Sequence, residues 1–148
     1  MEYVKELRRK VGHQPLILPG AVVAIVNSDN RVLLQHRTDG GWGLPGGLME
    51  LGESLEDTAR REVKEETNLQ VGQLTLLQVF SGPEFYFKIP NGDELYSVTA
   101  LYWTKDFYGD ILVNEHESLD VRFFEMNNLP ETLKEEYRTY LAPLLESL

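Results

Sequence analysis

Between residues 38 and 47 the chain reads TDGGWGLPGG, and this decapeptide holds five of the twelve glycines. Glycine at that density is not filler between strands. It implies backbone that approaches something closely or adopts positive φ, so the fold must be organised around a tight loop. The flanking segments indicate what meets there. AVVAIVN (21–27) and RVLLQHR (31–37) are rich in β-branched and aliphatic residues, and Ser28-Asp29-Asn30 between them is a turn-forming cluster, so a β-hairpin is expected. Beyond the loop a helix is predicted from about 55 to 67, with Ser54 as N-cap, Asp57 completing a weaker capping box and Asn68 as left-handed terminus.

Further strands are expected at 73–80, 84–89, 94–104 and 120–125, with Asn91-Gly92 as a tight turn. Residues 2–10 read as a short charged helix with Tyr3, Val4 and Leu7 on its apolar side. Residues 131–146 read as an amphipathic helix with Leu133, Tyr137, Tyr140, Leu141 and Leu144 inward, in which Pro143 is expected to kink or end the helix. No repeat, low-complexity tract or linker divides the sequence, so a single mixed α/β domain over 1–148 is expected.

Charge narrows the function. Fourteen basic residues against 24 acidic give a net charge of −10. That argues against nucleic-acid polymers and anionic membranes as partners, because phosphate backbones are gripped through Lys and Arg. A small phosphorylated ligand stays open if a metal ion screens the repulsion. With no cysteine, thiol nucleophiles, disulfides and zinc–thiolate sites are excluded. The opening MEYVKELRRK is too charged for a signal peptide and no apolar run reaches membrane-spanning length, so a cytoplasmic protein is expected.

Within the predicted helix, REVKEET (61–67) crowds Glu62, Glu65 and Glu66 together. At about 100° per residue with Glu62 at zero, Glu66 falls near +40° and Glu65 near −60°. Leu55, Ala59 and Val63 fall at roughly +20°, +60° and +100°, while Glu56, Asp57, Arg60 and Lys64 lie broadly opposite. The acids therefore overlap the apolar stripe, which is not the pattern of a solvated face. Partly buried carboxylates cost on the order of several kcal/mol each unless compensated. Arg61 can serve one of them. Three converging carboxylates call for a divalent cation, and oxygen-only ligands favour Mg²⁺ or Mn²⁺.

Gly47, five residues, Glu53, seven residues, then Arg61-Glu62-Val63-Lys64-Glu65-Glu66-Thr67-Asn68-Leu69 closely resembles the Nudix box, and WGLPGG before it is also typical of that family. One position departs, the late glycine, which is Asn68 here; asparagine is the next-best residue for a left-handed terminus, so the turn is expected to survive. The resemblance implies a Nudix-like α/β/α sandwich around a mixed β-sheet. It also implies Mg²⁺-dependent hydrolysis of a nucleoside diphosphate linked to another moiety, with Mn²⁺ as a substitute. Carried over by position, Glu62, Glu65 and Glu66 would bind metal, with the Gly46 carbonyl as a further ligand, and Glu53 would pair with Arg61 beside them. The proton acceptor would be Glu62 or, outside the box, Glu117 or Glu115. Many relatives are dimers, and the 2–10 helix is a candidate element of a homodimer interface. A Nudix-fold binding module without catalysis is the competing expectation, disfavoured because every expected acidic position is filled.

Substrate-binding candidates are Arg37, which ends a strand just before the loop and can reach a phosphate, Gly47 in the loop itself, and Tyr86. Phe85 and Phe87 must share one side of a strand and Tyr86 the other, with core packing expected for the pair. His36 and Trp42 are expected to be structural. Post-box spacing conflicts: Pro83 resembles the ADP-ribose hydrolase pattern, whereas Tyr86 resembles that of the diadenosine polyphosphate hydrolases.

Overall fold

The computed structural model describes residues 2–147. Its first half runs through α1 (Glu2–Val11), β1 (Leu16–Ile25), β2 (Arg31–Arg37), β3 (Trp42–Gly43), β4 (Gly46–Leu48) and α2 (Leu55–Thr67). Then follow β5 (Gln70–Val71), β6 (Thr75–Phe80), a 3₁₀ turn (Pro83–Phe85), β7 (Tyr86–Lys88), β8 (Glu94–Thr104), β9 (Phe107–Tyr108), β10 (Ser118–Glu125) and α3 (Glu135–Ser147).

The main sheet has the order β4-β1-β8-β6, with β7 also on β8. It is mixed, because β1 pairs parallel with β8 from Leu16↔Leu95 to Ile25↔Thr104 while the other pairings are antiparallel. A second sheet has the order β10-β2-β3, and β5 pairs with β9. The hairpin expected from 21–37 is thus corrected. Asn27, Asn30 and Arg31 do close a tight turn and Val26 bridges Val32, but the strands then part into different sheets. β1 is nearly all apolar and β2 carries Val32, Leu33 and Leu34 in succession, all buried, so each needs strand neighbours that leave both faces to side-chain packing.

Alternation along β1 divides the interior in two. Ala21, Val23 and Ile25 join Leu33, Ala100, Tyr102 and, from α2, Ala59 and Val63. Val22, Ala24 and Val26 face the other way, onto Val32, Leu34, Leu101 and, from α3, Tyr140, Leu141 and Leu144. Helices on opposite faces of a mixed sheet make the α/β/α sandwich. Each fully buried Leu or Val in these layers contributes about 1.5–3 kcal/mol.

Helix α2 matches its expected bounds and caps. Ser54 Oγ accepts from the Asp57 N–H at 3.0 Å, Asp57 accepts from the Ser54 N–H at 3.1 Å, and Asn68 is left-handed at φ 69°. The last helix begins at Glu135, four residues later than expected, because Leu133 is held in a bridge to Trp42. Pro143 neither ends nor splits it. Of the strand expected at 84–89, the first residues form the 3₁₀ turn led by Pro83, whose fixed φ suits that conformation. Helix α1 is tied by the Glu50 carboxylate, which accepts from the Glu2 and Tyr3 N–H groups, and by Arg8, which donates to the Glu94 carbonyl at 2.7 Å. Among the described residues no helix is long and apolar enough to cross a membrane.

Candidate active site

Two close approaches fix the glycine loop, one against β1 and one against α2. A Cβ on Gly46 would lie 2.2 Å from the Ala21 carbonyl oxygen, and one on Gly47 would lie 2.5 Å from the Glu62 carboxylate. A side chain at either position would push the loop off β1 or displace Glu62. On the other flank, a Cβ on Gly43 would lie 2.5 Å from the Tyr137 ring, so glycine there seats α3 against the loop.

The wheel's prediction for α2 is met at two of the three acids. Glu62 and Glu66 are buried, at 7% and 4% exposure, beside Ala59 and Val63. Their carboxylates interact directly, and the Glu66 carboxylate accepts from the Gly46 N–H at 3.0 Å and from the Gln35 side-chain amide. Burial pushes the Glu62 carboxyl up; burial and then Glu62 push that of Glu66 well up. Glu65 departs from the expected convergence: its side chain is half exposed and lies 3.5 Å from Arg61. At the far edge of the acid cluster in azimuth, it meets the cation one turn earlier rather than its fellow acids.

Arg61 and Glu53 form a clamp. Arg61 Nε and Nη2 donate to the two Glu53 oxygens at 2.6 and 2.9 Å, and Nη2 also reaches the Leu48 carbonyl at 3.1 Å. Glu53 Oε1 further accepts from the Glu50 N–H at 2.8 Å and the Thr58 hydroxyl at 3.0 Å. The Arg61 guanidinium holds the Glu53 carboxyl at about 2, so this acid is fully ionised and fully engaged by protein donors. The remaining arm, Arg61 Nη1, donates to Glu62 at 2.8 Å.

Glu62 and Glu66, but not the Glu53–Arg61 clamp, face a cleft of about 650 Å³. Glu62, Glu65, Glu66, Gly46, Gly47, Arg37 and Glu117 all line it; Glu115 is exposed outside it. Arg37 donates to the Tyr137 hydroxyl at 3.3 Å, and Asp39 holds both Arg37 and Lys134 at 3.5 and 3.0 Å. Burial pushes the Tyr137 hydroxyl up to about 12. The floor carries Leu95, Ser97 and Thr99 of β8.

Tyr86 is not among the cleft-lining residues. It is 37% exposed, its hydroxyl donates to Glu94 and its ring meets Tyr96. Phe87, on the opposite face of β7, lines the cleft, while Phe85 is buried against Phe80 and Tyr140. His36 stacks on Trp42 with ring centroids 4.8 Å apart, and Arg122 covers the same indole. Gln35 went unremarked in the sequence, although a polar residue alternating with Val32-Leu33-Leu34 at an inward position of a strand was its signal. It is 1% exposed and accepts from the Ser118 hydroxyl at 2.7 Å.

The donor set fits a hard divalent cation. Two buried, mutually repelling carboxylates beside loop backbone offer oxygen ligands only. Among the described residues no three acidic or histidine side chains already converge on one point, so Glu65, backbone carbonyl, water or phosphate oxygens would complete the coordination, as is usual for Mg²⁺.

A family model described as NUDIX domain matches residues 17–145. The ADP-ribose pyrophosphatase of Methanocaldococcus jannaschii is 36% identical over 115 residues, 75% of this chain and 64% of that protein. An NAD-capped RNA hydrolase NudC of Vibrio atlanticus is 32% identical over 124 residues, 80% of this chain but 41% of its own length. The chain therefore spans less than two thirds of either curated relative. The crystal structure of the MutT NUDIX hydrolase from Burkholderia pseudomallei superposes with a TM-score of 0.75 at 30% identity, covering 88% of this chain and 98% of the other. With its box, its sandwich and its matched length in agreement, the chain belongs to the NUDIX family.

Proposed function

We propose that the chain hydrolyses the diphosphate linkage of a nucleoside diphosphate derivative, using Mg²⁺ or Mn²⁺ held by Glu62, Glu65 and Glu66 with the Gly46 carbonyl. The observation that carries this reading is the buried Glu62–Glu66 pair opening on a cleft that also presents Arg37, Lys88 and Lys134. Buried like charges are costly, and a cation with its anionic ligand compensates for them. When bound, the metal would neutralise the diphosphate and lower the pKa of an attacking water.

The protein's own groups have separate roles. Arg37 and Lys134 meet phosphate oxygens, and the Glu53–Arg61 clamp holds α2 to the loop so that Glu62 keeps its place against Gly47. Hydrolysis adds the water oxygen to phosphorus, and the departing phosphate keeps the bonding pair. The water's proton passes to a carboxylate in reach, Glu117 or Glu62. Gly47 admits the diphosphate by its lack of a side chain. Phe87, with Tyr137 and Tyr140 but not Tyr86, is an aromatic available to the nucleoside end.

An ADP-ribose-like substrate is the first to test, since it matches the activity for which the M. jannaschii relative is named and the place of Pro83, whereas the Tyr86 hydroxyl is engaged outside the cleft. The experiment is a hydrolysis panel of ADP-ribose, dinucleoside polyphosphates and NTPs, each with and without Mg²⁺. Metal-dependent release from at least one is expected, fastest with ADP-ribose. Binding without release from any member would overturn the assignment.

A further inference from the structure

Residues 109–117 connect β9 to β10 and bring Glu117 into the cleft. Apolar packing orders them only in part: Ile111 packs against the core under α2, but Leu112 is 62% and Val113 40% exposed. Polar ties do the rest. At the far end the Ser118 hydroxyl donates to Gln35, whose amide holds Glu66. At the near end the Asn68 side-chain amide donates to the Asp110 carbonyl at 3.0 Å. The Leu112 N–H donates to the Thr67 carbonyl at 3.0 Å, and the Asn114 amide to the Glu65 carbonyl at 3.4 Å. Asn68 Oδ1 in turn accepts from Lys64 Nζ at 3.0 Å.

Asn68 is also where this chain departs from the Nudix pattern. Glycine would supply the left-handed backbone that ends α2, and its N–H would still reach the Lys64 carbonyl. It would supply neither side-chain bond. We propose that Asn68 is a positioning residue: its amide ties the start of the 109–117 loop to the metal-binding helix and so sets Glu117 in the cleft with Glu62, Glu65 and Glu66. The loop is then fastened at both ends to the helix whose carboxylates it must face, through Asn68 at one end and through Ser118, Gln35 and Glu66 at the other. The catalytic part of this inference rests on the hydrolase reading; the tether itself does not.

The test uses the full chain with Asn68→Gly, which keeps the backbone turn, and Asn68→Asp, which keeps an acceptor for Lys64 but cannot donate to Asp110. Lys64→Ala is the control. Amide hydrogen exchange over 110–117 should quicken roughly fivefold in both Asn68 variants, the factor expected for one net hydrogen bond, and stay unchanged in the control. Turnover of the best nucleotide should fall through kcat with KM held, and that fall should vanish when Asn68→Gly is made on Glu117→Gln. Unchanged exchange overturns the tether. Quickened exchange with a kcat loss that persists in the Glu117→Gln background overturns the positioning role. A wild-type chain inactive on every nucleotide defeats the hydrolase reading and the positioning role with it, while exchange still decides the tether.

Discussion

Two pairs of side chains on one short motif sit in opposite electrostatic states. Glu53 and Arg61 satisfy each other through two hydrogen bonds, with backbone and hydroxyl donors taking up the rest of Glu53. Glu62 and Glu66, one turn on, are deeper in the protein and face each other. The guanidinium that could balance them is already shared among Glu53, Glu62 and Glu65. The first pair is a finished structural joint, whereas in the second Glu62 has one arm of a shared Arg61 and Glu66 only the Gly46 N–H and the Gln35 amide. The difference teaches where to look for function: at the acids the protein compensates only in part.

The largest effect should come from relieving the open pair. Glu66→Gln should lower kcat by about 10³-fold, the scale of losing metal-borne charge stabilisation, without lowering the metal-free melting temperature. A purified variant working at the wild-type rate would remove the metal site from this helix. Next, saturating Mg²⁺ should stabilise the wild-type chain by about 2.7 kcal/mol at 100 times its dissociation constant, and Glu66→Gln should lose most of that gain. Thermal melts with Mg²⁺ and with chelator check this, and equal shifts in both proteins would count against it.

Acid should separate the two pairs by sign. The Glu53 carboxyl lies at about 2, below its ordinary 4.5, so its contribution is full above 4.5 and is lost as pH falls towards 2. Glu62 and Glu66 are raised, so in chelator their contribution is present below the ordinary carboxylate range and is lost as pH rises through their folded values. Denaturant titrations should therefore show Glu53→Gln flattening the acid limb and Glu66→Gln flattening the opposite slope. The same slope from both variants would dissolve the contrast. Smallest of all, Tyr86→Phe should leave kcat/KM within about twofold and stability within about 0.5 kcal/mol, as for a surface change away from the cleft. A marked rise in KM would return Tyr86 to the substrate.

Legibility in the sequence followed the range of the interactions. Helix α2 was readable to the residue because Ser54, Asp57 and Asn68 act on their own neighbours in the chain. The partner of β1 was not, since Ala21 pairs with Ala100 and nothing local to 21–37 encodes that choice. In the site, azimuth alone revealed that Glu62 and Glu66 turn inward. The same wheel puts Arg61 near −100°, about 40° from Glu65, so their i,i+4 contact was readable too, but not that it would prevail over convergence with the other two acids. The opposition of Tyr86 to Phe87 was plain from alternation, whereas Phe85 is buried from the 3₁₀ turn and not from the strand expected for it. Which face meets the cleft depends on how much of the sheet α3 covers, and no residue of 85–87 carries that information.

Gly20 has a consequence for how the chain finds its fold. It pairs with Leu48, and a Cβ on it would lie 2.4 Å from the Gly47 carbonyl oxygen. A slip of one residue would present Pro19 or Ala21 to that oxygen, and their side chains have no room there. The same slip would exchange the residues β1 sends to its two cores. This missing methyl group thus works as a proofreading key, admitting only the alignment that also sets Gly47 against the Glu62 carboxylate.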